Sequence, residues 1–254
     1  MLKVVIYAFI GCLGIGFIVG EIEKCLGRVG WVEGHKPYGI YEKHIKRPLD
    51  FGLSLFALII LSPLLLIIAI AVRIKLGSPV VFKQERPGLG GEIFTIKKFR
   101  TMTDEKDAEG NLLPDEKRLT KFGRWLRSTS MDELLELFNI LSGELSVVGP
   151  RPLLVEYIPY YTEDEKHRHD VRMGLTGRSQ ALGRNNLSWK DRFLSDVQYV
   201  NNITFMTDLK ILILTVKNVV LHKDVVAPDS MSAESNFADE RKKESMDEVC
   251  QREK

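Results

Sequence analysis

Cysteine is scarce in this chain. Cys12, Cys25 and Cys250 stand far apart with no CxxC spacing. That excludes a disulfide framework and a thiolate zinc site, and it fits a reducing compartment. No GxGxxG or Walker pattern occurs, because the glycines of Pro87-Gly88-Leu89-Gly90-Gly91 fall at the wrong spacing and read as a turn. There is no internal repeat. The C-terminal stretch from Asp229 to Lys254 almost lacks large apolar side chains but is dense in both acids and bases, with acids in excess. Such a segment cannot build a core and is expected to be disordered.

Charge is missing in two places, from Val4 to Gly20 and from Phe51 to Val72. The first run is at the short limit for a membrane span. No A-x-A-like cleavage site follows it, so it reads as an uncleaved anchor. Gly16-x-x-x-Gly20 allows another helix to approach closely. Lys3 precedes this run, while Lys24, Arg28 and Lys36 follow it, which predicts an outside N-terminus and a cytoplasmic remainder.

The second run is long enough to cross, yet both flanks are basic and Pro63 interrupts it after Ser62. Proline deletes a helical hydrogen bond, and a serine hydroxyl can take up the carbonyl left over. Each half, about 11 residues or 16 Å, reaches about half the hydrocarbon thickness. A re-entrant element broken at Ser62-Pro63 and a spanning helix with a tolerated kink both satisfy these facts.

What the chain does have is base-rich. Lys43 to Arg100 carries ten Lys or Arg against three Asp or Glu, a field suited to phosphate or anionic lipid. Two β-rich runs, Val80 to Gln84 and Ile93 to Phe99, flank the Pro-Gly turn and predict a hairpin. Lys97, Lys98 and Arg100 at its end are candidate phosphate ligands. Residues 103–118 read as a loop with helical pieces, and Lys121 to Arg127 as a short helix. Residues 153–169 read as an amphipathic helix, either lying at a membrane interface or packed on a core, with His167 and His169 on the surface. Arg184 and Asn185, in a glycine-punctuated loop, are candidate anion ligands, Ser188 is a helix cap, and 207–221 is a final amphipathic helix.

Asp132 and Glu133 precede the apolar run that ends at Ser142-Gly143. Ser130-x-x-Glu133 has the form of a capping box, and first-turn acids suit the helix dipole. From the residues alone, a helix start and a catalytic pair both stand.

The runs KRPLDFGLSLFALIILSPLLLIIAIAVRIKLGSPVVFKQERPGLGGEIFTIKKFRTM, LRSTSMDELLELFNILSGELSVVGPRP and GLTGRSQALGRNNLSWKDRFLSDVQYV resemble the bacterial sugar transferase family, in motif order from about Lys43 to Leu221. These are monotopic phosphoglycosyl transferases, which start glycan assembly on a lipid carrier. The resemblance implies an α/β fold, mostly α with a small β-hairpin. A membrane-embedded re-entrant helix and interfacial amphipathic helices would surround a small cytoplasmic catalytic domain on the bacterial inner membrane. The implied segments are an anchor (1–22), a connector (23–45), the re-entrant helix (46–76) with its break at Ser62 and Pro63, the catalytic domain (77–225) and the charged tail (226–254). Asp132 and Glu133 would be the catalytic dyad, with Asp132 exposed and ionised as nucleophile and Glu133 holding Mg²⁺. Lys98, Arg100, Arg151, Arg184 and Asn185 would bind substrate phosphates. The implied partners are a UDP-sugar, polyprenyl (undecaprenyl) phosphate and membrane lipid, with no nucleic acid; homo-oligomerisation is left open. Leu135-Glu136 replaces the usual Pro-Gln, and Arg178 stands where an apolar or aromatic residue is commoner. A membrane-tethered phosphohydrolase and a non-catalytic scaffold are the competing readings.

Overall fold

The computed structural model describes residues 2–25, 35–37, 39–183, 187–221, 237 and 241. Two long helices come first: α1, Leu2–Cys25, and, after a π-helical turn at Tyr41–Ile45, α2, Lys46–Leu76. Both are long and apolar enough to cross a membrane. They pack antiparallel through small residues. A Cβ on Gly16 would lie 2.1 Å from the Pro48 carbonyl oxygen, and one on Gly52 would lie 2.9 Å from Leu13 Cα. Phe9 meets Phe56 edge-on further along, with ring centroids 5.1 Å apart.

Pro63 sits inside α2, which continues on both sides of it. The Ser62 hydroxyl donates to the Ile59 carbonyl oxygen at 2.9 Å. That carbonyl is the acceptor a residue-63 N–H would have used, so the serine satisfies the group that proline leaves over. One stripe of α2 (Ser54, Leu58, Ile68, Val72, Leu76) is buried, while Ile59, Ile60, Leu66, Ile67, Ile70 and Ile74 stay exposed.

The hairpin follows. β1, Val81–Pro87, pairs antiparallel with β2, Ile93–Phe99, in register from Val81↔Phe99 to Pro87↔Ile93. The first strand thus runs on past the expected Gln84 to Pro87. Ile96 packs with Leu58 of α2 before the proline, and Phe99 packs with Ile68 and Val72 after it. The next segment contains α3, Asp115–Arg118, and α4, Lys121–Ser128, capped by the Thr120 hydroxyl accepting from the Gly123 amide at 3.0 Å. A 3₁₀ turn at Met131–Leu135 runs into α5, Glu136–Ser142, which ends at Gly143 with φ 85°. That left-handed cap explains the stop after Ser142.

β3, Ser146–Val148, and β4, Gly174–Thr176, form a parallel pair that joins segments far apart in the chain, out of reach of local pattern. Between them the expected single amphipathic helix is absent. Residues 155–160 and 167–170 are 3₁₀ turns flanking α6, Glu163–Lys166, with Pro159 inside the first turn. Thr162 and Glu165 make a true capping box at its start. α7, Arg178–Leu182, α8, Trp189–Val200, and α9, Phe205–Val220, complete the body, with Ser188 capping α8 as expected. The fold is therefore mostly helical with two small sheets, consistent with α/β.

Buried polar links tie α2 to the body. Lys46 Nζ lies 2.6 Å from Asp208 Oδ2 of α9, whose other oxygen accepts from the Tyr199 hydroxyl at 2.8 Å. Ser146 of β3 donates to Asp50 at 2.5 Å. Most of the charged tail lies outside the described residues. Phe237 is the exception to a solvated tail: it is buried among Tyr157, Tyr161, Trp189 and Phe193.

Candidate active site

The site forms where β2 lies against the 131–135 turn and α5. Ile96 and Lys98 share one face of β2, since side chains alternate along a strand. Ile96 packs on Leu137 and Ile140. Lys98, further along the same face, reaches the acids: its Nζ lies 2.7 Å from Glu133 Oε1 and 3.2 Å from Glu136 Oε1. Arg151 Nη2 approaches the same Glu133 oxygen at 3.6 Å.

Asn139 holds this geometry. It is fully buried in α5. Its side chain accepts from the Lys97 amide at 3.2 Å and donates to the Thr95 carbonyl at 2.8 Å, as a neighbouring strand would. Helix and hairpin are thereby pinned with Lys98 facing the acids. Neither Asn139 nor Glu136 emerged from the sequence as part of the site. A polar side chain amid the apolar Leu137–Leu141 run, and an acid where the family pattern has glutamine, were the available signals.

The Ser130 capping box is not formed. Ser130 has φ 53° and ψ 21°, and its side chain makes no cap bond. Its backbone carbonyl accepts from the Glu133 amide at 3.3 Å instead. It is the one non-glycine residue with positive φ among those described. A strained residue just before a candidate nucleophile is where functional sites tend to store strain.

Asp132 is likewise not exposed, retaining only 8% of its accessible surface. Burial first, and then the charge of Glu133, raise its pKa to about 6 against the pull of Lys98 and Arg127. Glu136 is pushed to about 7 by burial and by Glu133. Burial pulls Lys98 down, but Glu133 and Glu136 outweigh it and leave its pKa raised. A short 3₁₀ turn offers little dipole, and packing on β2 removes the water that keeps an exposed first-turn acid ionised.

The Glu136 shift has a stability consequence. An acid whose folded pKa exceeds its unfolded value favours folding below the unfolded value, here 4.5, and loses that contribution as pH rises through about 7. Glu136→Gln in metal-free protein is expected to raise the melting temperature at pH 8 by about 2–4 °C or more, as about 1 kcal/mol does in a chain of this size, and to raise it little at pH 4.5. Equal effects at both pH values would contradict the assignment.

The other predicted ligands divide. Arg100 is turned away from the acids: its guanidinium donates to the Met102 and Ser78 carbonyls, both at 2.7 Å, and pairs with Asp104. Arg184 and Asn185 lie outside the described residues. His167 is exposed, but His169 is buried with Nδ1 2.9 Å from the Gly88 carbonyl oxygen, which anchors the hairpin turn.

Among the described residues no three His, Cys, Asp or Glu side chains form a closed metal site. The donor set nevertheless suits a hard cation bound through one or two carboxylates plus water and substrate phosphates. Burial is the main cause of the raised pKa values of Asp132 and Glu136, and the lesser part, the charge of Glu133, is one that such a cation would offset.

The family model for bacterial sugar transferases matches residues 41–222. The chain is 52% identical to the sugar transferase EpsL of Bacillus subtilis over 190 residues, 75% of this chain and 94% of that protein. It is 38% identical over 188 residues to a UDP-glucose:undecaprenyl-phosphate glucose-1-phosphate transferase of Klebsiella pneumoniae, covering 70% of this chain and 40% of that one. With an undecaprenyl-phosphate galactose phosphotransferase of Salmonella typhimurium the identity is 35% over 202 residues, 72% and 41% of the two chains. The chain thus matches about two fifths of these two longer relatives and nearly all of EpsL. With a family model matched over residues 41–222 and a relative 52% identical over nearly its whole length, the chain belongs to the bacterial sugar transferase family.

Proposed function

We propose that the protein is a phosphoglycosyl transferase that moves a sugar 1-phosphate from a UDP-sugar to polyprenyl phosphate at the cytoplasmic face of the membrane. The observation that carries this reading is Lys98 paired with Glu133 and Glu136 and within electrostatic reach of Asp132, in a chain whose relatives are named for that transfer.

In the first step a carboxylate oxygen of Asp132 attacks the sugar-bearing phosphorus. The bridging P–O bond to UMP breaks, and UMP leaves with its electron pair. In the second step a phosphate oxygen of the polyprenyl phosphate attacks the same phosphorus, forming the diphosphate link and returning the Asp132 carboxylate. Covalent capture lets one small site serve a soluble donor and a lipid acceptor in turn. Glu133 would hold Mg²⁺, which when bound supplies positive charge to phosphoryl oxygens. Lys98 takes part by exchanging its carboxylate partners for a phosphate oxygen of the donor, countering charge that develops there. Arg151, less buried and beside Glu133, can bind a second phosphate.

The membrane reading rests on α2. Its exposed apolar face suits lipid, and its opposite stripe contacts the same hairpin before and after Pro63. A helix crossing the bilayer with that stripe covered would draw the hairpin into the hydrocarbon. Matched basic flanks also favour a re-entrant path with both ends cytoplasmic. Single cysteines at the exposed Lys43 and Ser78 are then both shielded from an impermeant thiol reagent in intact cells and labelled once the cells are opened; labelling of one from outside contradicts the re-entrant path.

The direct test is UMP release across a panel of UDP-sugars, with and without undecaprenyl phosphate. Sustained release and a lipid-linked product that both require the lipid are expected. Sustained sugar-phosphate release without lipid favours a hydrolase, and no release with any donor favours a scaffold.

A further inference from the structure

α1 lies outside the matched segment 41–222, yet it reaches the catalytic helix through a chain of charge-assisted bonds. Glu23, near the end of α1, grips Arg47 of α2 with both oxygens: Nε donates to Oε2 at 2.9 Å and Nη2 to Oε1 at 2.7 Å. The same guanidinium donates onward to the Ile140 carbonyl at 2.7 Å and the Leu141 carbonyl at 3.1 Å. These carbonyls belong to the last turn of α5, where no further helical turn supplies amides; Ile140 accepts in addition from the Gly143 cap amide, at 3.1 Å. Arg172 Nε donates to the Gly143 carbonyl at 2.8 Å beside them. Two arginines therefore converge on the end of the helix that carries Glu136 and follows directly from Asp132 and Glu133.

Two guanidiniums brought this close repel. Burial, and then the Arg47 charge, depress the pKa of Arg172, while Glu23 and Asp50 act against that shift. Glu23 is the carboxylate in direct bidentate contact with Arg47, and such a fork fixes orientation as well as charge. Gly143 leaves room for it: a Cβ there would sit 3.2 Å from Arg47 Nη2 and 3.6 Å from Glu23 Oε1. The position of Glu23 is set in turn by the glycine contact of α1 with α2. At Gly20 a Cβ would lie 2.7 Å from Pro48 Cγ.

We infer that Glu23 is a positioning residue for the transfer reaction. By orienting and neutralising Arg47 it completes a cap on the α5 C-terminus, so that α1 is a working part of the catalytic unit and not only a tether. α5 is then held at two points, by Asn139 on β2 and by Arg47 at its end, and both hold the acids against Lys98. Displacing a catalytic group by about 1 Å can cost on the order of 100-fold in rate, so loosening one of two points is enough to register.

The inference rests on the transferase reading and is tested with the full chain in lipid nanodiscs. Glu23→Gln keeps size and removes the charge. Expected are a kcat for UMP release at least about tenfold lower, a KM for the UDP-sugar within about twofold, and a melting temperature only a few degrees lower, since Arg47 loses its counter-charge. Hydrogen exchange is expected to quicken at the amides of Gly143 to Leu145, which bond back to Ile140 and Asn139, and to stay unchanged in α8 and α9. Wild-type kcat and exchange in the variant would overturn the inference, leaving α1 a tether. Faster exchange throughout the body with a far lower melting temperature would overturn it too, as a general loss of stability. If the wild-type protein releases UMP from no donor, the transferase reading fails, and the exchange comparison alone decides whether Glu23 holds the helix end.

Discussion

Asp132→Asn is expected to lower turnover at least about 1000-fold and to abolish phosphosugar labelling of the protein, while leaving the fold intact. Asparagine matches aspartate in shape but its amide is no nucleophile, so what is lost is the bond-forming step itself and not a binding contact. The burial of Asp132 sharpens the test. Its folded pKa of about 6 lies above the unfolded value of 3.8, so at pH 8 the folded protein carries a buried charge that it would rather neutralise. Removing that charge is expected to leave the melting temperature equal or higher. Loss of activity with undiminished stability cannot be assigned to unfolding. Retention of more than about a tenth of wild-type turnover would return Asp132 to a purely structural role.

Local chemistry was the legible part of this chain. The Pro-Gly turn placed the hairpin because glycines and β-rich flanks leave few alternatives, and Gly143 placed the end of α5 for the same reason. At Ser62 and Pro63 the local hydrogen bond was legible, since a proline removes one particular bond and a neighbouring serine can reach its acceptor, while α2 itself runs on through both residues as one helix. What stayed hidden depended on contacts between distant segments. Ser130 and Glu133 have the residues of a capping box, but the chain turns sharply between α4 and the next element, and that turn takes Ser130 into a left-handed conformation. Asp132 was expected to be exposed because a first-turn position is usually wet. Burial against β2, a strand from much earlier in the chain, reverses its environment.

The same limit governs Glu136 and Asn139. Each sits in a helical run whose periodicity says only that one face is apolar. That Glu136 meets Lys98, and that Asn139 completes the edge of β2, are facts of tertiary pairing. The parallel pairing of β3 with β4 and the breaking of 155–170 into short pieces have the same origin. The resemblance supplied the Asp132–Glu133 pair as a candidate, and the geometry adds its surroundings.

One measurement bears most directly on the covalent account: counting UMP released per protein when enzyme, Mg²⁺ and an accepted UDP-sugar are mixed without any polyprenyl phosphate. Asp132 can accept one phosphosugar, and with no acceptor to remove it the site stays filled. A rapid burst is therefore expected, stopping at no more than about one UMP per active site, with the protein heavier by one phosphosugar at the peptide containing Asp132. Adding undecaprenyl phosphate then discharges the adduct and restores continuous release. No burst and no adduct, with UMP appearing only when donor and lipid are both present, would mean direct transfer between substrates and would contradict the account.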